Sequence, residues 1–90
     1  MAVVFLPTPL RKRFDGQQSV EVPGSTLRQI IEALDARSPG VRELLVDPEL
    51  EGRVNRSYSA IVDGEAADLG LRTAVRDDSE VHFIPAIAGG

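Results

Sequence analysis

The sequence predicts an α+β domain, a small mixed sheet of about five strands packed on one main helix. Three observations lead there. Residues 2–6 and 80–84 are the two most apolar short runs and suit neighbouring strands at the middle of a sheet. Leu27, Ile30, Ile31 and Leu34 recur at the i, i+3, i+4, i+7 spacing of a single helical stripe. Asp63-Gly64 follows a third strand-like run with the two-residue signal of a tight hairpin, whose central positions both require positive φ.

Taken in order, Ala2, Val3, Val4, Phe5 and Leu6 form a continuous apolar run, which suits a strand covered on both faces. Pro7-Thr8-Pro9 ends it. Residues 10–18 contain Arg11-Lys12-Arg13 and then Asp15-Gly16, and read as a solvated hairpin loop. Three charges with one aromatic nearby, Phe14, make a poor nucleic-acid site; a patch for an acidic partner is the sharper reading. Residues 19–22 alternate polar and apolar, giving a half-buried strand paired with the first.

Pro23-Gly24 turns the chain. Thr26 then offers a helix N-cap, with Gln29 three residues on as its capping-box partner. Arg28, Gln29, Glu32 and Asp35 are expected to face water, and Ser38-Pro39-Gly40 ends the helix. Residues 41–46 suit a second, short helix with Val41, Leu44 and Leu45 inward. Residues 49–56 read as a surface loop and residues 58–62 as a third strand. After the hairpin, residues 65–68 return as a short edge strand, and residues 73–75 are expected to form a single turn. Val81 and Phe83 belong to one face of the last strand, His82 and Ile84 to the other. Adjacent and parallel first and last strands would send the C-terminal residues out at the end of the sheet opposite the N-terminus.

Those residues are Ile84-Pro85-Ala86-Ile87-Ala88-Gly89-Gly90, apolar, uncharged and ending in a diglycine. A frayed terminus is the ordinary reading of such a stretch. Loose ends tend to be polar, however, and this one continues directly from a strong strand. Pro85 lacks an N–H and is expected to stop the strand. Residues 1–84 are therefore read as the folded domain and 85–90 as a flexible tail. Glycines have no Cβ, so Gly89 and Gly90 would pass through a channel too narrow for other residues. The only chemistry such a tail offers is a terminal carboxylate, inert until another enzyme activates it.

Composition narrows the function further. Ninety residues make one small domain with a modest core. There are no cysteines, so disulfides, thiolate nucleophiles and iron–sulfur clusters are excluded. His82 is the sole histidine, which removes most triads and metal sites. The apolar N-terminus has no basic flank and is cut by Pro7, so it reads as neither signal peptide nor membrane span. A formal charge of −4 argues against nucleic acid and for a partner with a basic face. The expectation is a cytoplasmic domain, monomeric when free and bound to no membrane.

The stretch Asp78-Ser79-Glu80-Val81-His82-Phe83-Ile84-Pro85-Ala86-Ile87-Ala88-Gly89-Gly90 resembles the C-terminal signature of the ubiquitin-like β-grasp sulfur carriers, the MoaD/ThiS family. In that signature a turn and a strand lead into Pro-x-aliphatic-Ala-Gly-Gly. The resemblance extends to the helix after Pro23-Gly24-Ser25-Thr26-Leu27 and to the Asp63-Gly64 hairpin. The length and the extra segment 41–55 look most like the cysteine-synthesis carriers and the longer archaeal-type small subunits of molybdopterin synthase. Pro85 is followed by Ala86 where many of the latter have a second proline, which favours the cysteine branch.

The resemblance implies a ubiquitin-like β-grasp fold and a sulfur carrier that is a co-substrate rather than an enzyme. An E1-like partner, using ATP and magnesium, would adenylate the Gly90 carboxylate, and a sulfur donor would convert it to a thiocarboxylate. The carrier itself would bind no cofactor; it has no phosphate-binding Gly-rich loop. The receiving enzyme would be a PLP-dependent sulfhydrylase in cysteine synthesis or the large subunit of molybdopterin synthase. Gly89, Ala88, Ile87, Ala86 and Pro85 would form the tail that enters the partner's tunnel.

Asp77, Asp78 and Glu80 form an acidic cluster that is either a solvated turn or, with His82, a docking patch. Leu69 and Leu71 are core residues or, if exposed, interface residues. Two rival functions stand beside the carrier. One is a protein modifier joined through Gly90 to lysines of its targets. The other is an interaction module with an inert tail. No constellation of base, nucleophile and pocket residues suggests an independent enzyme.

Overall fold

The computed structural model describes residues 1–50 and 52–86. The element order is β1 (Ala2–Phe5), α1 (Thr8–Arg11), β2 (Ser19–Val22), α2 (Leu27–Arg37), α3 (Val41–Leu45), β3 (Tyr58–Val62), β4 (Glu65–Ala66) and β5 (Glu80–Pro85), with single 3₁₀ turns at Lys12–Phe14 and Gly70–Arg72. The five-stranded sheet has the order β2-β1-β5-β3-β4. β1 and β5 are parallel neighbours, with Phe5 opposite His82, and every other pairing is antiparallel. The first and last strands thus lie together inside the sheet, as their apolar character requires.

One face of the sheet carries Val4, Val22, Val81 and Phe83, and onto it packs the α2 stripe of Leu27, Ile30, Ile31 and Leu34, all fully buried. The Thr26 hydroxyl accepts the Gln29 amide at 3.3 Å, fixing the helix start. The returning half of the box differs from expectation. The Gln29 side-chain oxygen takes the Ser25 amide at 2.7 Å and not that of the cap residue. Asp63, at φ 50, and Gly64, at φ 83, close the β3–β4 hairpin as the dipeptide predicts.

The expectations meet several corrections. β1 is central in order but covered on one face only; Val3 and Phe5 are half-buried on the other. The 10–18 stretch is not a simple loop. Leu10 and Phe14 are buried, and anchoring them winds the chain into α1 and a 3₁₀ turn that leave Lys12 and Arg13 outward and Arg11 partly buried. Leu44 is exposed at the edge of the α3 stripe, while Val41 and Leu45 take the inner face. Asp35 is not simply solvated, since its carboxylate accepts the amides of Gly40 and Arg42, each at 3.0 Å. The turn expected at 73–75 forms earlier, at Gly70–Arg72, while Ala74 bridges to Thr26. Leu71 is core and Leu69 is exposed. Among the described residues no helix is long and apolar enough to cross a membrane.

Candidate functional site at the tail end of the sheet

The strand ends at Pro85, but Pro85 is part of it. It is the last residue of β5 and lies opposite Tyr58. The ladder explains the tolerance. The Asp63 amide donates to the Glu80 carbonyl and the Ala86 amide to the Ser57 carbonyl, so even-numbered residues of β5 bond toward β3. The missing N–H of Pro85 therefore falls on the β1 side, where β1 has already ended at Phe5. The start of the expected tail is thus held in the sheet, and Ala86 makes a further rung at 2.9 Å. Ile87, Ala88, Gly89 and Gly90 lie outside the described residues.

The residues that receive this last rung were not singled out from the sequence. Asn55 accepts the Ser57 amide through its side chain at 2.9 Å and the Tyr58 amide through its carbonyl at 2.9 Å, an Asx turn that presents the Ser57 carbonyl. Asn55 is in turn held by its own amide on the Leu45 carbonyl, at 2.7 Å. The preceding loop is tied down by Asp47, which is 5% exposed and accepts the amides of Glu49 and Leu50. Those two bonds, aided by Arg56 and Arg53, hold its carboxyl below the ordinary range. The segment 41–55 thus seats the tail root. The Asn-x-Ser pattern before a strand is the signal that marks it.

Beside the tail root, the uncovered face of the sheet is apolar at its centre. Phe5 and His82 stack face to face, their ring centroids 4.2 Å apart and 5° from parallel. Ile61 lies across from His82, and Ile84, the next residue of β5 on that face, is 45% exposed. His82 reaches Glu80 at 3.6 Å. Sequence reading set His82 and Ile84 on this face but had no means of placing Phe5 over the imidazole.

The acidic cluster is elsewhere. Asp77 and Asp78 precede β5 and Glu80 begins it, and Glu80 is already five strand steps of about 3.3 Å each from Pro85. At that far end Arg76 reaches Asp63 and Asp78, both at 3.6 Å, and the N-terminal ammonium lies 3.9 Å from Asp77. Closeness in sequence to the tail does not become closeness in space. Among the described residues no group of acidic or histidine side chains is placed to hold a metal ion. A groove between residues 52–54 and 66–72 is lined by Arg53, Tyr58, Ser59, Asp68 and Arg72.

A two-layer domain of this topology, with its last strand at the centre of the sheet, is a ubiquitin-like β-grasp protein. Residues 4–90 match the model of the ThiS family. The sulfur carrier protein CysO of Mycobacterium tuberculosis is 39% identical over 89 residues, 97% of this chain and 96% of the relative. The crystal structure of Mycobacterium tuberculosis CysO superposes with a TM-score of 0.89 at 36% identity, covering 97% of this chain and all of the other. CysO in the BexX/CysO complex of Amycolatopsis orientalis superposes at 0.86 and 33% identity, over the whole of both chains. The chain belongs to the ThiS family of ubiquitin-like sulfur carriers.

Proposed function

We propose that the protein carries sulfur as a thiocarboxylate on Gly90 and delivers it to a biosynthetic enzyme, in the first place one making cysteine. The observation that carries this reading is the tail root itself. A central strand, gripped by β1 along its first half and by β3 to its end, holds Pro85, the first residue of the apolar small-residue stretch. A rigid root lowers the entropy lost when the tail is inserted into a partner's channel.

In the chemistry the resemblance implies, the Gly90 carboxylate oxygen attacks the α-phosphorus of ATP on an E1-like enzyme and releases pyrophosphate. A sulfide-level sulfur atom then attacks the acyl carbon, and AMP leaves. The thiocarboxylate that results is an anionic, polarisable nucleophile. Its partner in cysteine synthesis would be a PLP-dependent sulfhydrylase, and the large subunit of molybdopterin synthase is the alternative recipient. ATP, magnesium and PLP belong to those partners. Gly89 and Ala88 would thread the channel, Ile87, Ala86 and Pro85 would anchor its mouth, and the Phe5–His82 face would rest on the partner.

Intact mass of the protein isolated from its own cells tests this. Exchange of one oxygen for one sulfur, dependent on the E1-like enzyme, is the expected outcome. Deleting Gly90 should abolish loading with thermal unfolding unchanged, and Gly89→Val should block transfer through bulk. An unmodified mass alongside ladders of lysine-linked conjugates would replace the carrier with a protein modifier.

A further inference from the structure

The charges of this chain are sorted along the strands, and the tail leaves from the basic end. β1 and β5 run in the same direction and β3 against them. The segment after β1 and the segment before β3 therefore flank the tail root, one on each side. The first holds Arg11, Lys12 and Arg13, with Asp15 the only acid between residues 8 and 16. The second holds Asp47 and Glu49 and then Arg53 and Arg56, with Arg56 next to the Ser57 carbonyl that binds Ala86. Arg11 is partly buried and donates to the Leu6 carbonyl at 3.1 Å; Lys12, Arg13 and Arg56 are exposed, Arg13 donating to the Pro39 carbonyl at 3.4 Å.

The two ends also differ in how their charges are used. Every ion pair among the described residues joins groups of the far end and the strand rising from it: Arg76, the N-terminal ammonium and His82 with Asp63, Asp77, Asp78 and Glu80. Among the described residues Lys12, Arg13 and Arg56 lie within ion-pair distance of no carboxylate, although Arg56 acts at longer range on Asp47. Exposed cations left unpaired on a chain of net charge −4 form a local field of opposite sign to the molecule.

Resting on the sulfur-carrier reading, we infer that Lys12, Arg13 and Arg56 form a basic collar around the tail root that docks on an acidic rim at the channel mouth of the activating enzyme. The occupant is a protein surface rich in aspartate and glutamate. The chain's overall negative charge and the single flanking aromatic, Phe14, speak against a nucleic acid. Paired with the acidic far end, the collar gives the molecule a dipole along the strands, which would orient it tail-first during diffusional encounter.

The test is steady-state loading of the full chain by the E1-like enzyme of the same cells, read as KM and kcat at several salt concentrations. Lys12→Glu, Arg13→Glu and Arg56→Glu are compared with Arg28→Glu, an equal charge change on the exposed side of α2. Circular dichroism first establishes that all four fold. The collar variants combined should raise KM about tenfold or more and flatten its salt dependence with kcat little changed, whereas Arg28→Glu should stay within about twofold. Equal KM values for collar and α2 variants would overturn the collar alone. A wild-type chain that is never loaded would remove the carrier reading and the collar with it.

Discussion

Asp63 does more than its turn requires. At φ 50 it supplies the first central residue of the β3–β4 hairpin. Its carboxylate also accepts the Ser79 hydroxyl at 2.7 Å and the Glu80 amide at 2.9 Å, pinning the start of β5 to the end of β3. The Ser79 hydroxyl first, the Glu80 amide next and Arg76 least hold its carboxyl below its ordinary value of 3.8, against a smaller opposing effect of burial. A depressed folded-state value means stabilisation that is complete above the unfolded value and lost as pH falls through the folded one. Urea midpoints should therefore fall below about pH 4. Asp63→Asn, which keeps a residue tolerant of positive φ, should flatten that fall, and Asp47→Asn should flatten what remains. A fall unchanged in the double variant would assign it to other carboxylates. Gly70 shows the same density of purpose. Its φ is +59, and a Cβ there would lie 2.5 Å from the Gly52 carbonyl oxygen, which accepts the Leu71 amide.

At the scale of the element, α2 behaves as its periodicity dictates and α3 does not. Eleven residues make about three turns, enough for a stripe to be read and for packing to follow it. In the five-residue α3, Val41, Leu44 and Leu45 share the i, i+3, i+4 stripe, yet the core covers only its Val41–Leu45 side. Leu45 is fully buried and Leu44 is 38% exposed. Leu45→Ala should cost about 3 kcal/mol and Leu44→Ala less than about 0.5 kcal/mol in chemical denaturation. Similar losses at both positions would mean that α3 is rotated in solution. The consequence reaches the tail, because the Leu45 carbonyl holds the Asn55 amide and Asn55 shapes the turn that receives Ala86.

For the whole molecule, the sheet order places the end of the chain at its centre. β5 bonds to β1 on one side and to β3 on the other, whereas β4 is a two-residue edge. Backbone groups bonded on both sides and buried beneath a helix open only with global unfolding. Amides of Val81 and Phe83 should exchange among the slowest and that of Ala66 among the fastest, as followed by NMR or mass spectrometry. Fast exchange in β5 would contradict a rigid root for the tail.

What the sequence by itself determined is what depends on neighbours along the chain. The α2 stripe, the Asp63-Gly64 turn, the alternation of β2 and the family signature ending in Gly90 are all local patterns, and each specifies its element without reference to distant residues. The pairing of β1 with β5 was legible too, because runs so apolar have few places in a sheet. Tertiary structure decided where those elements meet. Pro85 stays in the ladder because β1 ends before reaching it. Phe5 lies over His82 because two strands 77 residues apart in sequence share a register. Arg56 neighbours the Ser57 carbonyl that holds Ala86 while Asp77 and Asp78 lie at the other end, because a strand carries the chain from one end of the sheet to the other. Spacing along the chain cannot measure that distance; only the direction of the strands does.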